Sequence, residues 1–466
     1  MKKFFVPVAF LFAGATVYAA AIEQVIVRQQ WPWSTDIKVE YKLSGVTTPV
    51  DISVKAYNGE TELDSAKLAD SMTGDRFGIA EDGVGTIIID PVKAFGNAKV
   101  ALARFKVKLS ISESAADINE VIYKIIDLGS EPVTVTDVTR ADILGNNYGT
   151  FETSYGDNIG PGFSSSLADT LIWTGVTNGD LYRTSKIALR KIPAAGKSYM
   201  MGPTDGAQVE VSFTNDFWIG VFEITAAQFK KLMPDYVPWV TNSLCAATRS
   251  ADNLCWGRSG KAYSVRGGVW PGAHASAAAD SFIGKLQAVT GITGLDLPTE
   301  AQWEFAARAG SETSLYSGKD GSVSDNLREI SRMRYVNCKE PTNQPGHENR
   351  SNAEAGFPSR NDPDIGYGAN EPGRYRPNAY GLYDMMGNVM EWVLDHYISA
   401  SPLQGGVEPC GLVTSSGEIS RCVRGGSYAN HYTDIGKRRG LVAWYQQADY
   451  GFRICLHGSD GVVSNK

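Results

Sequence analysis

Asp384 and Glu391 stand on either side of a Gly387-Asn388 turn signal, so their two carboxylates and the carbonyl oxygens of Gly387 and Val389 are able to converge. Such a set is made of hard oxygen donors of the kind calcium takes. A local reading competes with it, because a carboxylate beside a Gly-Asn turn also accepts backbone N–H groups. Other recognisable chemistry is missing. The sequence has no GxxxxGK[ST], no GxSxG and no HExxH, which removes phosphate-cradling loops, hydrolase elbows and zincin sites. The five histidines, His274, His347, His396, His431 and His457, never fall at metal-ligand spacing. A lone histidine in such a setting reads as a surface or hydrogen-bonded residue.

The elements that must position these residues are short. Thr299 is placed to cap a helix, with Gln302 three residues on completing a capping box. Trp303 and Ala307 then share a face, and Gly310 suits the left-handed position that ends the helix. A second helix is expected over 276–289 with Ser276 as its cap. Residues 337–378 read as a long loop, and an ordered loop of that length is usually functional or held by a metal. Towards the N-terminus the signal is alternation. Ile37, Val39 and Tyr41 interleave with Lys38, Glu40 and Lys42, Ile52, Val54 and Ala56 with Ser53 and Lys55, and Phe105, Val107, Leu109 and Ile111 with Lys106, Lys108 and Ser110. Such strands, separated by turn clusters, predict an antiparallel β-sandwich over 20–114. Residues 115–185 weaken in period and gain Gly, Ser, Thr and Asn, as a connector with short strands would.

A chain of 466 residues has room for two or three domains. A hydrophobic share of 43% with 20% charged residues supplies a core and excludes a disordered or fibrous chain. The net charge of −7 and the absence of a basic block exclude a phosphate-tracking nucleic-acid surface. Lys2 and Lys3, the apolar run that follows and Val17-Tyr18-Ala19 read as a cleavable leader over 1–19. A retained leader acting as an anchor is the alternative. No later stretch is long and apolar enough to span a bilayer, so the expectation is an exported protein: periplasmic, cell-surface or secreted. Export makes disulfides possible for the six cysteines, and Cys245–Cys255 and Cys422–Cys455 are two candidate bridges among the fifteen full sets of pairings.

Four segments carry a family likeness in fixed order: Leu297-Pro298-Thr299-Glu300-Ala301-Gln302-Trp303-Glu304-Phe305-Ala306-Ala307-Arg308; Asn378-Ala379-Tyr380-Gly381-Leu382-Tyr383-Asp384-Met385-Met386-Gly387-Asn388-Val389-Met390-Glu391-Trp392; Val423-Arg424-Gly425-Gly426-Ser427-Tyr428; and Gly451-Phe452-Arg453. Together with Met201-Gly202, Phe217-Trp218-Ile219-Gly220 and Glu223-Ile224-Thr225 they make residues 186–458 resemble the formylglycine-generating enzyme, or sulfatase-modifying factor, family. The resemblance implies an α+β, C-type-lectin-like domain with little regular structure and bound calcium, followed here by a tail at 459–466. It maps one calcium site onto Asp384, Gly387, Val389 and Glu391 and another onto Asn337, Cys338, Asp364 and Gly366.

Oxidising members of that family hold copper(I) with two cysteines after the Arg-Gly-Gly-Ser segment. The matching positions here are Asn430 and Ile435, and neither supplies a thiolate. Met390 stands where those enzymes use an aromatic, while Ser427, His431 and Arg439 match positions lining their site. Arg424, Arg439 and Arg453 read as structural donors to the loops. An iron site of the sulfoxide-synthase type has no support, since no histidine precedes residue 186. The expectation is therefore a non-catalytic exported protein with calcium and without copper, its residual cleft engaging an exported protein, a peptide or a glycan. The alternative is an oxidoreductase of the formylglycine-generating type acting on a protein cysteine.

Overall fold

The computed structural model describes residues 20–29, 35–46, 50–76, 79, 81–97, 104–113, 119–144, 148, 172–238, 247–257, 263–271, 275–333, 368–397, 403–410, 420–430 and 432–458. The expected leader and tail, and most of the expected 337–378 loop, lie outside them. The chain divides into two units, Met1–Ile118 and Asn119–Lys466.

The first unit realises the alternation. Its strands are β1 (Ala21–Gln29), β2 (Ile37–Ser44), β3 (Val50–Asn58), β4 (Thr61–Glu62), β5 (Met72–Gly74), β6 (Gly83–Ile89) and β7 (Phe105–Glu113). They form two antiparallel sheets, in the orders β1-β2-β6-β5 and β4-β3-β7. Ile37, Val39, Tyr41, Ile87 and Ile89 of one sheet and Val50, Ile52, Ala56 and Phe105 of the other share one apolar core. The lysines between them stay on the outer faces, where Lys42 meets Glu23 and Lys55 meets Glu62. Short helices α1 (Ser65–Asp70) and α2 (Pro91–Phe95) join the strands.

In the second unit the strands are β8 (Val121–Asp127), β9 (Thr134–Thr139), β10 (Lys186–Ile192), β11 (Ser198–Met201), β12 (Val209–Ser212), β13 (Phe217–Gly220), β14 (Leu295–Asp296), β15 (Met390–His396), β16 (Gly406–Val407), β17 (Ser420–Arg424), β18 (Arg439–Val442), β19 (Tyr450–Gly451) and β20 (Cys455–His457). The helices are α3 (Arg140–Leu144), α4 (Leu181–Thr184), α5 (Ala226–Leu232), α6 (Phe282–Thr290), α7 (Glu300–Arg308) and α8 (Ser324–Arg328). A six-stranded sheet, β14-β20-β13-β10-β8-β9, is covered on both faces. Ile126, Ile187 and Leu189 pack with Phe229 of α5 and Phe282 and Leu286 of α6, while Ile192, Phe217 and Ile219 pack with Trp303, Phe305 and Ala306 of α7. A four-stranded sheet, β18-β17-β15-β19, and a three-stranded one, β11-β12-β16, complete the unit, each with one parallel pair. Among the described residues no helix is long and apolar enough to cross a membrane.

Three expectations change. The stretch expected as a connector supplies β8, which lies between β10 and β9 in the largest sheet. It is therefore part of the C-terminal unit. The second helix starts later than expected, at Phe282 with Ser281 as its cap, because Ser276 is tied in a bridge to Val269. Cys422 and Cys455 are not bridged. Each thiol instead faces a different side chain of α7: Cys422 Sγ lies 3.1 Å from Glu300 Oε1, and Cys455 Sγ lies 3.8 Å from Gln302 Oε1. In the pair Cys245–Cys255 the first member lies outside the described residues.

Helix α7 forms as its sequence predicts. Thr299 Oγ1 accepts the Gln302 N–H at 3.1 Å, and Gln302 Oε1 accepts the Thr299 N–H at 3.0 Å. It ends with Ala309 already left-handed at φ 45°, one residue before Gly310 at φ 87°. Asp395 of β15 adds a further cap, its Oδ2 accepting the Glu300 N–H at 2.6 Å.

Two predictions come from this architecture. A fragment starting at Asn119 melts in one cooperative transition, whereas a fragment starting at Lys186 loses β8 and β9 and with them that transition; circular dichroism on the two fragments checks this. The second concerns Asp395, whose carboxyl is pushed up to about 7 by burial first and by the neighbouring Glu300 charge second, from an ordinary 3.8. Folding holds a proton there that the unfolded chain releases, so this contribution to stability is full below pH of about 4 and is lost as pH rises to about 7. Melting temperature is expected to fall by several degrees between pH 5 and pH 8, and to fall less in Asp395→Asn. An equal fall in the variant would assign the slope to other groups.

Candidate functional site

Two buried arginines hold the segments that carry the chemistry. Arg424 at the end of β17 donates from Nη1 to Glu300 Oε1 at 2.7 Å and from Nη2 to Glu304 Oε2 at 2.5 Å, clamping successive turns of α7. Arg453 donates from Nε to Glu391 Oε2 and from Nη2 to Glu391 Oε1, both at 2.6 Å. The Trp303 indole N–H adds a third donor to Glu391 Oε2 at 2.8 Å. Both guanidinium groups are fully buried. Arg424 and Arg453 thus act as structural donors, as expected, with carboxylates as their main partners. Arg439 is exposed at the start of β18.

The turn between Asp384 and Glu391 is tightly held. Asp384 and Asn388 are left-handed at φ 55°, and Gly387 at φ 87° has no room for a side chain, since a Cβ would stand 2.5 Å from the Arg332 carbonyl oxygen. Asn388 Oδ1 accepts the Asn370 N–H at 2.8 Å, while its Nδ2 donates to Glu223 Oε2 at 2.5 Å and to Ser250 Oγ at 2.8 Å. Glu223 Oε1 accepts the Val389 N–H at 3.2 Å. Glu223 and Ser250 are therefore part of the site, although the sequence analysis assigned them no role. The available signal was an acid at 223 between Phe222 and Ile224, a polar residue in an apolar run.

Glu223, Asp384 and Glu391, each at most 1% exposed, share the neighbourhood of one guanidinium, that of Arg453. Burial, followed by the charges of Asp384 and Glu391, pushes the Glu223 carboxyl well above its ordinary range. Burial likewise raises Asp384 to about 6, against the Gly373 N–H that its Oδ2 accepts at 2.6 Å. Asp384 Oδ1 is buried without a partner. An orphaned carboxylate oxygen in an acid-rich interior fits a cation. Among the described residues no three His, Cys, Asp or Glu side chains converge as a metal cage. An ion at this turn would be held by Asp384 Oδ1 and the carbonyls of Gly387 and Val389, with Glu391 already engaged by Arg453. The second expected set, Asn337, Cys338, Asp364 and Gly366, lies outside the described residues.

Beside this turn, Ser427 and Asn430 come together on Asp449. Ser427 Oγ donates to Asp449 Oδ2 at 2.7 Å, and Asn430 Nδ2 donates to the same oxygen at 2.8 Å and to Ser427 Oγ at 3.0 Å. Burial raises the Asp449 carboxyl, and the Arg439 charge opposes the rise. Asp449 was not singled out in the sequence, where it stands two residues before Gly451-Phe452-Arg453. Met390, an expected cleft position, and Ile435, the position matched to the second copper-binding cysteine, are core residues: Met390 is 0% exposed and packs with Trp392 and Tyr450, and Ile435 is 1% exposed and packs with the apolar side of α7. His431 lies outside the described residues. The arrangement offers hydrogen-bond donors, acceptors and hard oxygens, and the two positions Asn430 and Ile435 offer no sulfur.

Comparison with known proteins agrees with the motif order. The formylglycine-generating enzyme of Mycobacterium tuberculosis is 34% identical over 142 residues, 29% of this chain and 40% of that protein. That of Streptomyces coelicolor is 36% identical over 144 residues, 30% of this chain and 37% of the relative. The inactive C-alpha-formylglycine-generating enzyme 2 of Mus musculus is 29% identical over 170 residues, 34% of this chain and 42% of the relative. The chain spans about two fifths of the length of these curated relatives. Among solved structures, Treponema denticola variable protein 1 aligns with a TM-score of 0.41 at 20% identity over 58% of this chain and 95% of that one. The model of the sulfatase-modifying factor enzyme 1-like domain matches residues 182–457, more than half of the sequence and every one of the four motif segments, and the chain belongs to that family.

Proposed function

We propose that this chain is an exported, non-catalytic member of the family that binds a ligand or partner through a C-type-lectin-like cleft around Ser427, Asn430 and Arg439, with calcium steadying the Asp384–Glu391 turn and no copper. The observation that carries this reading is the chemistry at the two positions matched to the copper-binding cysteines. The Asn430 amide is committed to Ser427 and Asp449, and Ile435 is a core aliphatic with 1% exposure. Copper(I) selects soft sulfur, and an amide or an alkyl group does not replace a thiolate. The clamps made by Arg424 and Arg453 use neither side chain at those two positions, only the Ile435 backbone carbonyl, so the scaffold stands without the oxidative chemistry. Fold by itself carries no activity. Export rests on the leader-like residues 1–19 and on the absence of a later apolar span in the sequence.

Two experiments test the reading. Purified protein incubated with a cysteine peptide of sulfatase type, with and without copper, is expected to yield no aldehyde by mass spectrometry and to bind copper(I) no better than an unrelated protein. Aldehyde formation would establish the alternative, an oxidoreductase of the formylglycine-generating type. For calcium, chelation is expected to lower the melting temperature, and Asp384→Ala to abolish most of that sensitivity, since an ion that binds only the folded state stabilises it by mass action. Superimposable melting curves with and without chelator in the unsubstituted protein would remove calcium from the proposal.

A further inference from the structure

We propose that the chain associates with a second copy of itself through β1, the two β1 strands pairing antiparallel, edge to edge, so that two sheets become one. This interface is independent of the cleft and uses only the first unit. The four edge strands of that unit are unlike one another. β4 has two residues and β5 three, too few to template another strand. β7 has nine, and its outward face carries Lys106 and Lys108, the kind of charge that keeps an edge from pairing. β1 also has nine residues, with no lysine and no proline. Among the described residues, the backbone of 21–28 hydrogen-bonds with β2 and with nothing else. An unpaired edge of that length is a template for one more strand.

The inner face of β1 is also unfinished. Val25 and Val27 pair with Tyr41 and Val39 of β2, both core residues, and so face the inside of the sandwich. Tyr41 and Val39 are sealed there, whereas Val25 is 39% exposed and Val27 is half-buried. The other face bears Gln24, Ile26 and Arg28, opposite Lys42, Glu40 and Lys38. Glu23 stands at a bulge near one end of the strand and Arg28 near the other. Glu23 meets Lys42 at 2.7 Å, while Arg28, with its side chain 62% exposed, comes no closer than 3.5 Å to Glu40.

These features select both the occupant and the register. A two-fold axis perpendicular to the sheet keeps each face on its own side, so only residues of the same face oppose one another. Centred on Ile26, the pairing sets Val25 against the partner's Val27 and Val27 against the partner's Val25, and the open apolar edge is closed from both sides. On the outer face it sets Arg28 against the partner's Gln24 and beside the partner's Glu23, which gives opposite charges at both ends of the joint. Centring on Val25 would oppose Val27 to the bulged Glu23, and centring on Val27 would oppose Val25 to Gln29. A parallel, in-register pair would set Glu23 on Glu23 and Arg28 on Arg28, which like charges disfavour. The two-fold pair consumes both β1 edges, so assembly through them stops at the dimer.

The test is sedimentation velocity on the intact purified protein at concentrations up to about 100 µM, since a single strand pair is a small interface. A concentration-dependent dimer is expected. Val25→Lys, at an exposed position, brings an unpaired charge to the joint from both copies and is expected to raise the dimer dissociation constant about tenfold or more while the protein still melts cooperatively. If it fails to melt cooperatively, Arg28→Glu replaces it and is expected to act in the same direction by repelling the partner's Glu23. Disulfide trapping reads the register. Ile26→Cys opposes itself and is expected to give a covalent dimer above the background of the unsubstituted chain, whereas Gln24→Cys gives one only when mixed with Arg28→Cys. A monomer at every concentration, a dimer that Val25→Lys or its replacement leaves unchanged, or no trapping at residue 26 would overturn the proposal. So would a chain that stays monomeric and pairs its β1 edge with a different protein.

Discussion

The Arg453–Glu391 pair is the contact on which the rest of the C-terminal unit depends. Its fork is bidentate, its members are 0% and 1% exposed, and the Trp303 indole N–H closes the remaining side of the carboxylate. One contact thereby joins three segments that are far apart in sequence: the helix at 300, the turn at 391 and the strand entry at 453. Arg453 also donates to the carbonyls of Gly220 and Tyr383, which brings β13 and the approach to the turn into the same node. Breaking a buried pair of this kind costs about 3–5 kcal/mol, because one charge is left without a partner. Arg424 repeats the device on the same face of α7 through Glu300 and Glu304, with its guanidinium 5.2 Å from the centre of the Trp303 ring. A domain with short strands and helices gains from buried charge what it lacks in long regular elements: a geometry that only one arrangement of loops satisfies.

The same economy explains the accumulation of acids around the 384–391 turn. Arg453 neutralises Glu391, and Glu223 and Asp384 then remain in an interior that disfavours their ionised forms. Glu223 is nevertheless useful, because its two oxygens collect the donors of Ser250, Asn388 and Val389 and so fix a left-handed Asn388 that the backbone alone would not prefer. The turn is shaped by hydrogen bonds to a carboxyl group that burial and the neighbouring acids Asp384 and Glu391 push well above its ordinary range.

What the sequence made legible follows from how local each signal is. Strands β2 and β3 were readable because each buries one face, giving period two at Ile37-Val39-Tyr41 and at Val50-Ile52. The α7 capping box was readable because its donors and acceptors lie within four residues. By contrast, β8 and β10 are covered on both faces, so their alternation is lost and the segment holding β8 looked like a connector. The later start of α6 depended on a bridge from Val269 to Ser276, a contact made by tertiary structure. The candidate bridge between Cys422 and Cys455 failed for the same kind of reason, since the strands carrying them belong to different sheets and the thiols face different residues of α7. At the site, the motif residues were visible and their partners were not: Glu223, Ser250 and Asp449 act through contacts spanning 19 to 166 residues.

Scaffold and chemistry are separable in this chain because they draw on different residues. The clamps use arginines, carboxylates and an indole that are sealed from solvent, and their geometry fixes where Ser427 and the end of β18 stand. Residues 430 and 435 contribute nothing to those clamps beyond the Ile435 carbonyl, a backbone group that any side chain would leave in place. An amide and an alkyl group at these positions therefore leave the frame intact while excluding sulfur ligation. At residue 430 the amide joins Ser427 on Asp449 Oδ2, so this side chain is spent on the local hydrogen-bond set. The frame tolerates those side chains because the charges that hold it are buried elsewhere.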